Sequence, residues 1–452
     1  MDRFINPKSV TVIGASEDRR KGGYALVSNL KERFPERLYP VNPGASEVCG
    51  LRAFSGVSDL PETVDLAVIF VPARSVPEVM EACGEKGISR IIIESAGFAE
   101  AGPQGVALQE ACVVVARRYG MRVWGPNCMG VINGRTGIVA SFMKPDIWRG
   151  HLKPGNVSLI VQSGMLSAGF LIQILKAGFF GLSKACSIGN RCDVNESDLL
   201  EYFAGDPQTE VIAMYLESII DVLRFRAAIS RLRKPVVLLK GGTSAEGARA
   251  AQSHTGSLAG DALLTEGFLR QMRIHRATDF FEMVDITRGL SLWQGRGKGR
   301  RIGIVTFSGA SGIVASDHFA GLGMTLAPLS PETLRTLKTI FPSWMRPQNP
   351  VDMWPAIERV GQKAFEIAIK AILADPQVDA LYLHLYMDWG ILQQGVGFLD
   401  NLRASKKPTA IWIIGEPECF RKIRDLVEPL GTPVFTDLAR GALVLSRFMT
   451  QP

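Results

Sequence analysis

Short apolar runs alternate with stretches of helical period along most of the chain. In the first third, Ser9–Ile13, Leu38–Val41, Leu66–Val71, Arg90–Ile93 and Arg122–Trp124 read as strands, and Tyr24–Phe34, Pro77–Lys86 and Gln104–Tyr119 as amphipathic helices. Such alternation predicts a parallel sheet covered on both faces, with ligands at the C-terminal ends of its strands. Trp148–Pro154, which holds two basic residues, a glycine and a proline, reads as a linker.

The pattern then restarts. Asn156–Val161 reads as a strand, Gln162–Ser167 as a turn, and the apolar stretch to Lys176 as a helix. Val211–Leu216 and Pro235–Leu239 are further strands, Lys240–Ser244 is a turn, and Ala259–Met272 is a helix. Arg296–Arg301, made only of glycine and basic residues, marks another boundary. Beyond it Ile302–Thr306, Leu381–Leu385 and Pro408–Ile414 are strands, with Ser308–Gly312 turning into a helix. The chain is therefore expected to be α/β throughout, in three units at 1–147, 155–293 and 301–452, without a fixed-period repeat.

Composition narrows the function. At 452 residues, 46% hydrophobic and 21% charged, the chain has ample material for ordinary globular cores. Its net charge of +7 comes from 51 basic and 44 acidic residues scattered along the sequence, with no basic block of the nucleic-acid-binding kind. Met1–Pro7 lacks the pattern of a leader and no apolar run approaches about 20 residues, so a cytoplasmic protein without a membrane span is expected. The seven cysteines are odd in number and show no Cys-x-x-Cys spacing, which argues against a disulfide framework or a zinc site.

Candidate chemistry sits on strand-end loops. Gly14–Gly23 is a glycine-bearing turn that is not Gly-x-Gly-x-x-Gly, and Asn42 stands where an NAD-binding fold usually offers a ribose-binding acid, so an NAD dehydrogenase is disfavoured. Arg19, Arg20 and Lys21 fit either a phosphate contact or a solvated basic loop. Ser163 and Gly164 open a helix, as an anion site or as a plain N-cap. Glu217 closes an apolar strand, where it either orients an imidazole or is a simple strand-end acid. His254 lies in the small-residue loop Ser253–Gly260 near a helix start, placed for phosphoryl carriage or for capping. Ser308–Gly312 reads as a phosphate nest or a tight connection. The GxxxxGK[ST] phosphate loop is absent.

The segment Lys240–Gly260 closely resembles the phosphohistidine loop of the nucleoside-diphosphate-forming acyl-CoA synthetases, which include the succinyl-CoA synthetase α subunits. Gly14-Ala15-Ser16, Val41-Asn42-Pro43-Gly44, Val71-Pro72-Ala73, Ser95-Ala96-Gly97-Phe98-Ala99-Glu100 and Gly125-Pro126-Asn127-Cys128 resemble the CoA-binding domain of that family. Asn349-Pro350-Val351-Asp352 resembles a turn of its C-terminal ligase domain. Two departures stand out: Ala45 follows Gly44 where some members have a lysine, and Ser308-Gly309 replaces a frequent Gly-Gly pair.

The resemblance spans essentially the whole chain and implies an α subunit of the ADP-forming type: a Rossmann-like CoA-binding domain followed by two flavodoxin-like CoA-ligase domains. It implies that His254 is phosphorylated and paired with Glu217, and that phosphate meets Ser163, Gly164, Asn127, Gly189, Thr255 and Gly256. CoA would meet Gly14, Ala15, Ser16, Arg19, Arg20, Val41, Asn42, Pro43, Val71, Pro72, Ser95 and Ala96. No metal is expected on this chain. Since no stretch is left for an ATP-grasp module, Mg²⁺ and ADP or ATP are expected on a separate ATP-grasp β subunit, most simply in an α₂β₂ assembly. The implied reaction interconverts acyl-CoA, ADP and phosphate with acid, CoA and ATP through acyl phosphate and phosphohistidine. A nucleotide-independent CoA acyltransferase and a non-catalytic acyl-CoA-binding protein are the rival readings.

Overall fold

The strands of the first third are apolar without alternation because both faces of their sheet are covered. The computed structural model describes residues 1–247, 249, 262–388, 390 and 397–450, so His254, Thr255 and Gly256 lie outside the described residues. In chain order the strands are β1 (Val10–Ile13), β2 (Leu38–Val41), β3 (Glu47–Val48), β4 (Leu51–Arg52), β5 (Leu66–Ile69), β6 (Arg90–Ile93) and β7 (Arg122–Trp124). The parallel sheet runs β2-β1-β5-β6-β7, while β3 and β4 pair only with each other. The order reverses between β1 and β5, and that reversal opens a crevice beyond their C-terminal ends. Gly14, at φ +90°, closes against the crevice's other wall: a Cβ there would stand 2.2 Å from the Phe70 carbonyl oxygen.

The second sheet takes β8 (Val131–Asn133), β9 (Ile138–Ala140), β10 (Pro154–Val161), β11 (Leu182–Ser187), β12 (Val211–Leu216), β13 (Val236–Lys240) and β14 (His275–Ala277), in the order β14-β13-β12-β10-β11-β8-β9. Five of these strands are parallel. The hairpin β8–β9 joins antiparallel to β11, with Val131 opposite Cys186. Chain that follows the first βαβ series thus completes the second sheet. The polar end of Trp124 ties the two together, since its buried indole N–H donates to the Ser187 carbonyl at 2.6 Å. A continuous apolar cluster containing Val12, Leu26, Trp124, Ile160, Leu199 and Met214 lies within this unit, Met1–Val284.

Asp285–Pro452 is a second compact unit. Its strands are β15 (Arg301–Thr306), β16 (Thr325–Leu326), β17 (Val351–Asp352), β18 (Ala380–Met387), β19 (Thr409–Gly415) and β20 (Val434–Phe435), all parallel, in the order β16-β15-β18-β19-β20 with β17 beside the end of β15. The motif residue Asn349 has a structural task here. Its side-chain amide accepts from Ile304 N–H at 2.9 Å and donates to the carbonyls of Ile302 and Ala327, filling backbone bonds along β15.

Most elements match the sequence expectation within a residue or two; β2, β6 and β7 coincide with it. The linker expected at 148–154 instead carries the end of a short helix, Pro145–Trp148, and the start of β10. The helix expected from Ala259 is described from Ala262 to Gln271.

Candidate active site

Strand β10 ends at Val161, and Ser163 caps the helix Gly164–Ala177, its Oγ accepting the Leu166 N–H at 3.3 Å. The backbone at Ser163 is extended, at φ −84° and ψ 131°, which is the conformation an N-cap requires. The N-terminus of this 14-residue helix therefore sits where the second sheet's strand order reverses, between the ends of β10 and β12. Positive dipole and free N–H groups face that point.

Two turns close over it. Asn127 takes φ +57° and its N–H donates to the Ser95 carbonyl at 2.9 Å. Gly189, at φ +56°, lies so close to this turn that a Cβ would stand 2.2 Å from the Pro126 oxygen and 2.5 Å from the Asn127 oxygen. Only glycine fits there. Asn190 N–H donates to Pro126 O and Cys192 N–H to Gly125 O, so the second turn is pinned to the first. The Asn190 side chain also donates to Glu100, at 2.5 Å, and to Gln109, at 3.0 Å. Burial raises the pKa of the Glu100 carboxyl, but hydrogen bonds from Asn190, Gly97 and Phe98 outweigh it and hold the group below the usual carboxylate range.

Glu217 follows the last residue of β12. It is buried, and its N–H donates to Gln162 Oε1 at 2.8 Å. Lys240 Nζ donates to its backbone carbonyl, and burial lowers the pKa of that ammonium group. Together Glu100, Asn127, Ser163, Gly164, Gly189, Asn190, Arg191 and Glu217 line a cavity of about 310 Å³. A second cavity, of about 480 Å³, is lined by Phe70, Val71, Pro72, Glu94, Ser95, Ala96, Cys128 and Phe142. The two share Asn127, Gly164 and Met165.

Of the residues singled out in the sequence, Asn127, Ser163, Gly164, Gly189 and Glu217 thus meet in one cavity, and Val71, Pro72, Ser95 and Ala96 line its neighbour. Gly14, Ala15, Ser16, Arg19, Arg20, Val41, Asn42 and Pro43 line neither. They form the crevice at the end of β1: Asn42 Nδ2 donates to Ala15 O at 2.7 Å, and Gly14 and Ala15 N–H groups donate to Val41 O. Arg20 makes a bidentate pair with Asp18, whose carboxyl the Arg20 hydrogen bond pulls down to about 2, while Arg19 lies 5.9 Å from the Tyr24 ring.

The polar lining residues to which the sequence reading gave no site role include Gln109, Gln162, Asn190, Arg191 and Glu94. Glu94 had a signal, because it closes the apolar strand β6 as Glu217 closes β12. Its Oε2 accepts the Phe142 N–H at 3.0 Å, its Oε1 has no partner among the described residues, and burial pushes its carboxyl well above the usual range. Among the described residues no cluster of three His, Cys, Asp or Glu could hold a metal, and no helix is long and apolar enough to cross a membrane.

Residues 154–290 match the succinyl-CoA ligase like flavodoxin domain and residues 8–134 a CoA binding domain. The chain is 34% identical to the ADP-forming acetate–CoA ligase II of Archaeoglobus fulgidus over 98% of its own length, and spans 65% of the length of that protein. It is 39% identical to the α subunit of the ADP-forming acetate–CoA ligase II of Pyrococcus furiosus, over 84% of this chain and 81% of that one. The dinucleotide forming acetyl-coenzyme A synthetase 1 of Ca. Korarchaeum cryptofilum, solved with phosphate and ADP, superposes with a TM-score of 0.88 at 31% identity, over 99% of this chain and 95% of that chain.

Proposed function

Because this chain belongs to the family of ADP-forming acyl-CoA synthetases, we propose that it is the α-type component of such an enzyme, interconverting acyl-CoA, ADP and phosphate with acid, CoA and ATP. The observation that carries this reading is the pair of adjoining cavities: one at a helix N-terminus shares Asn127, Gly164 and Met165 with a second walled by strand-end loops of the first sheet. A phosphate in the first would meet a thioester in the second. In this reading residues 1–147 bind CoA, 155–293 carry the phosphoryl chemistry and 301–452 complete the ligase scaffold.

The steps balance without a redox partner. A phosphate oxygen, held by Ser163, Gly164, Asn127 and Gly189, attacks the thioester carbonyl; the C–S bond breaks, and acyl phosphate and CoA thiol form. His254 then attacks the phosphorus, the acid leaves as carboxylate, and Glu217 orients the imidazole and offsets its positive charge. His254 is assigned this part on its sequence context, with Thr255 and Gly256 beside it. The phosphohistidine next delivers its phosphoryl to ADP, which we assign with Mg²⁺ to a cytoplasmic ATP-grasp partner in an α₂β₂ assembly. The relatives' names as ligases favour this over a nucleotide-independent acyltransferase or an acyl-CoA sensor.

The purified chain supplied with acetyl-CoA and labelled phosphate, and no nucleotide, is expected to release CoA thiol and acquire base-stable label. His254→Ala should release thiol and acquire no label. Thiol release that ignores phosphate would point to plain hydrolysis or acyl transfer and overturn the proposal.

A further inference from the structure

The cavity beside Ser163 has a charge problem. Two carboxylates, those of Glu100 and Glu217, line it, and among its described lining residues one side chain is basic, that of Arg191. A phosphate placed between two carboxylates is repelled unless a cation answers them, and inside a protein that repulsion is weakly screened.

Arg191 is held for such a task. It follows the turn at Gly189 and itself takes φ +58°, a left-handed conformation that is rare for a long side chain and persists only where the surroundings impose it. Its side chain is 5% exposed. Nη1 donates to Glu196 Oε2 at 3.0 Å and to the Ser218 carbonyl at 2.9 Å, and Nη2 donates to Ser218 Oγ at 2.8 Å. Glu196, fully buried, accepts the Ile220 N–H on its other oxygen. These contacts lock the guanidinium plane and use three of its five N–H groups, all of them on Nη1 and Nη2. The Nε–H is buried and has no hydrogen-bond partner among the described residues. An unsatisfied buried donor on a charged group is costly, and native proteins keep few of them without a ligand to fill the place.

We propose that Arg191 is a further phosphate-binding residue: its Nε–H donates to an oxygen of the phosphate held at Ser163 and Gly164, in a cavity whose other ionisable side chains, Glu100 and Glu217, are acidic. The same contact persists on the phosphoryl oxygens of the acyl phosphate, so Arg191 touches the reacting group through both steps. No proton leaves the guanidinium, whose role is electrostatic. The inference rests on the phosphate reading of this cavity given above.

The test uses the purified full-length chain with inorganic phosphate and CoA as separate probes, each titrated by calorimetry. Arg191→Gln should bind phosphate about 10- to 100-fold more weakly than wild type, the range expected for a lost charge-assisted hydrogen bond, with CoA affinity unchanged. Arg191→Lys, which keeps a charge without the planar fork, should recover part of the loss. Equal phosphate affinity in wild type and both Arg191 variants overturns the inference. So does a loss accompanied by lost CoA binding, since that assigns Arg191 to holding the turn alone. Absence of phosphate binding and of phosphate-dependent thiol release in the wild type would instead remove the reading of the cavity itself.

Discussion

Gln162 binds Glu217 backbone to side chain: its Oε1 accepts the Glu217 N–H at 2.8 Å and the Ser218 N–H at 3.3 Å, while its own N–H donates to Tyr215 O. The β10–β12 ladder ends at Val161 and Tyr215, so beyond that pair a side chain takes over the work of the sheet. The position of the Glu217 carboxylate therefore depends on Gln162.

Gln162→Leu should leave those two N–H groups unsatisfied, lowering stability by about 1–3 kcal/mol, and, with Glu217 orienting His254 as proposed, should slow phosphohistidine formation. CoA affinity should hold. Rapid-quench labelling at matched stability is the measurement, and a wild-type labelling rate in the variant would detach Gln162 from the placement of Glu217.

Glu94 makes stability depend on pH in a definite direction. Burial raises its folded pKa well above the ordinary carboxylate range, so the folded chain keeps a proton that the unfolded chain releases. Stability from this group is thus greatest in acid and falls as pH rises toward the raised value. Glu94→Gln removes that slope. The melting temperature of the variant relative to wild type should climb between about pH 5 and about pH 8; a constant difference would mean that the Glu94 carboxyl is ionised in the fold.

His384 works in the opposite sense in the second unit. Burial lowers its pKa to about 4, its Nδ1 lies 3.1 Å from Thr306 Oγ1, and its ring lies 4.1 Å from that of Trp412. Its contribution is full above the ordinary histidine value, about 6.5, and is lost as pH falls toward 4, roughly 3 kcal/mol across the window. His384→Phe keeps an aromatic neighbour for Trp412 and should flatten this part of the pH–stability curve. Curves of equal slope for the two proteins would place the acid sensitivity elsewhere.

Lys184 and Asp206 form a buried pair at 2.7 Å, with side chains 2% and 7% exposed, and Lys184 Nζ also donates to Gln208 and Ser183. Removing one partner strands the other's charge in low dielectric. Lys184→Met is expected to destabilise the first unit by about 3–5 kcal/mol, and adding Asp206→Asn to recover part of that. Urea unfolding of the three proteins decides it: additive losses would show the two groups to be energetically independent.

The α/β class, the three runs of βαβ alternation and the glycine-bearing turns were legible because period and turn chemistry are local: β2, β6 and β7 fell where their apolar runs did. The family was legible for the same reason, in contiguous motifs. The hairpin β8–β9 was not, because strands of three residues carry no usable period and their register is set by β11, a distant segment. Nor was the charge of the site. That Arg20 is taken up by Asp18 while Arg191 lines the cavity, and that the pKa of Glu94 is raised while that of Glu100 is lowered, depends on which groups burial and hydrogen bonding bring near each one. Those neighbours come from strand ends far apart in the chain, and they meet only because the order of strands reverses at β10 and the turn at Gly189 has no Cβ to hold the loop of Asn127 away.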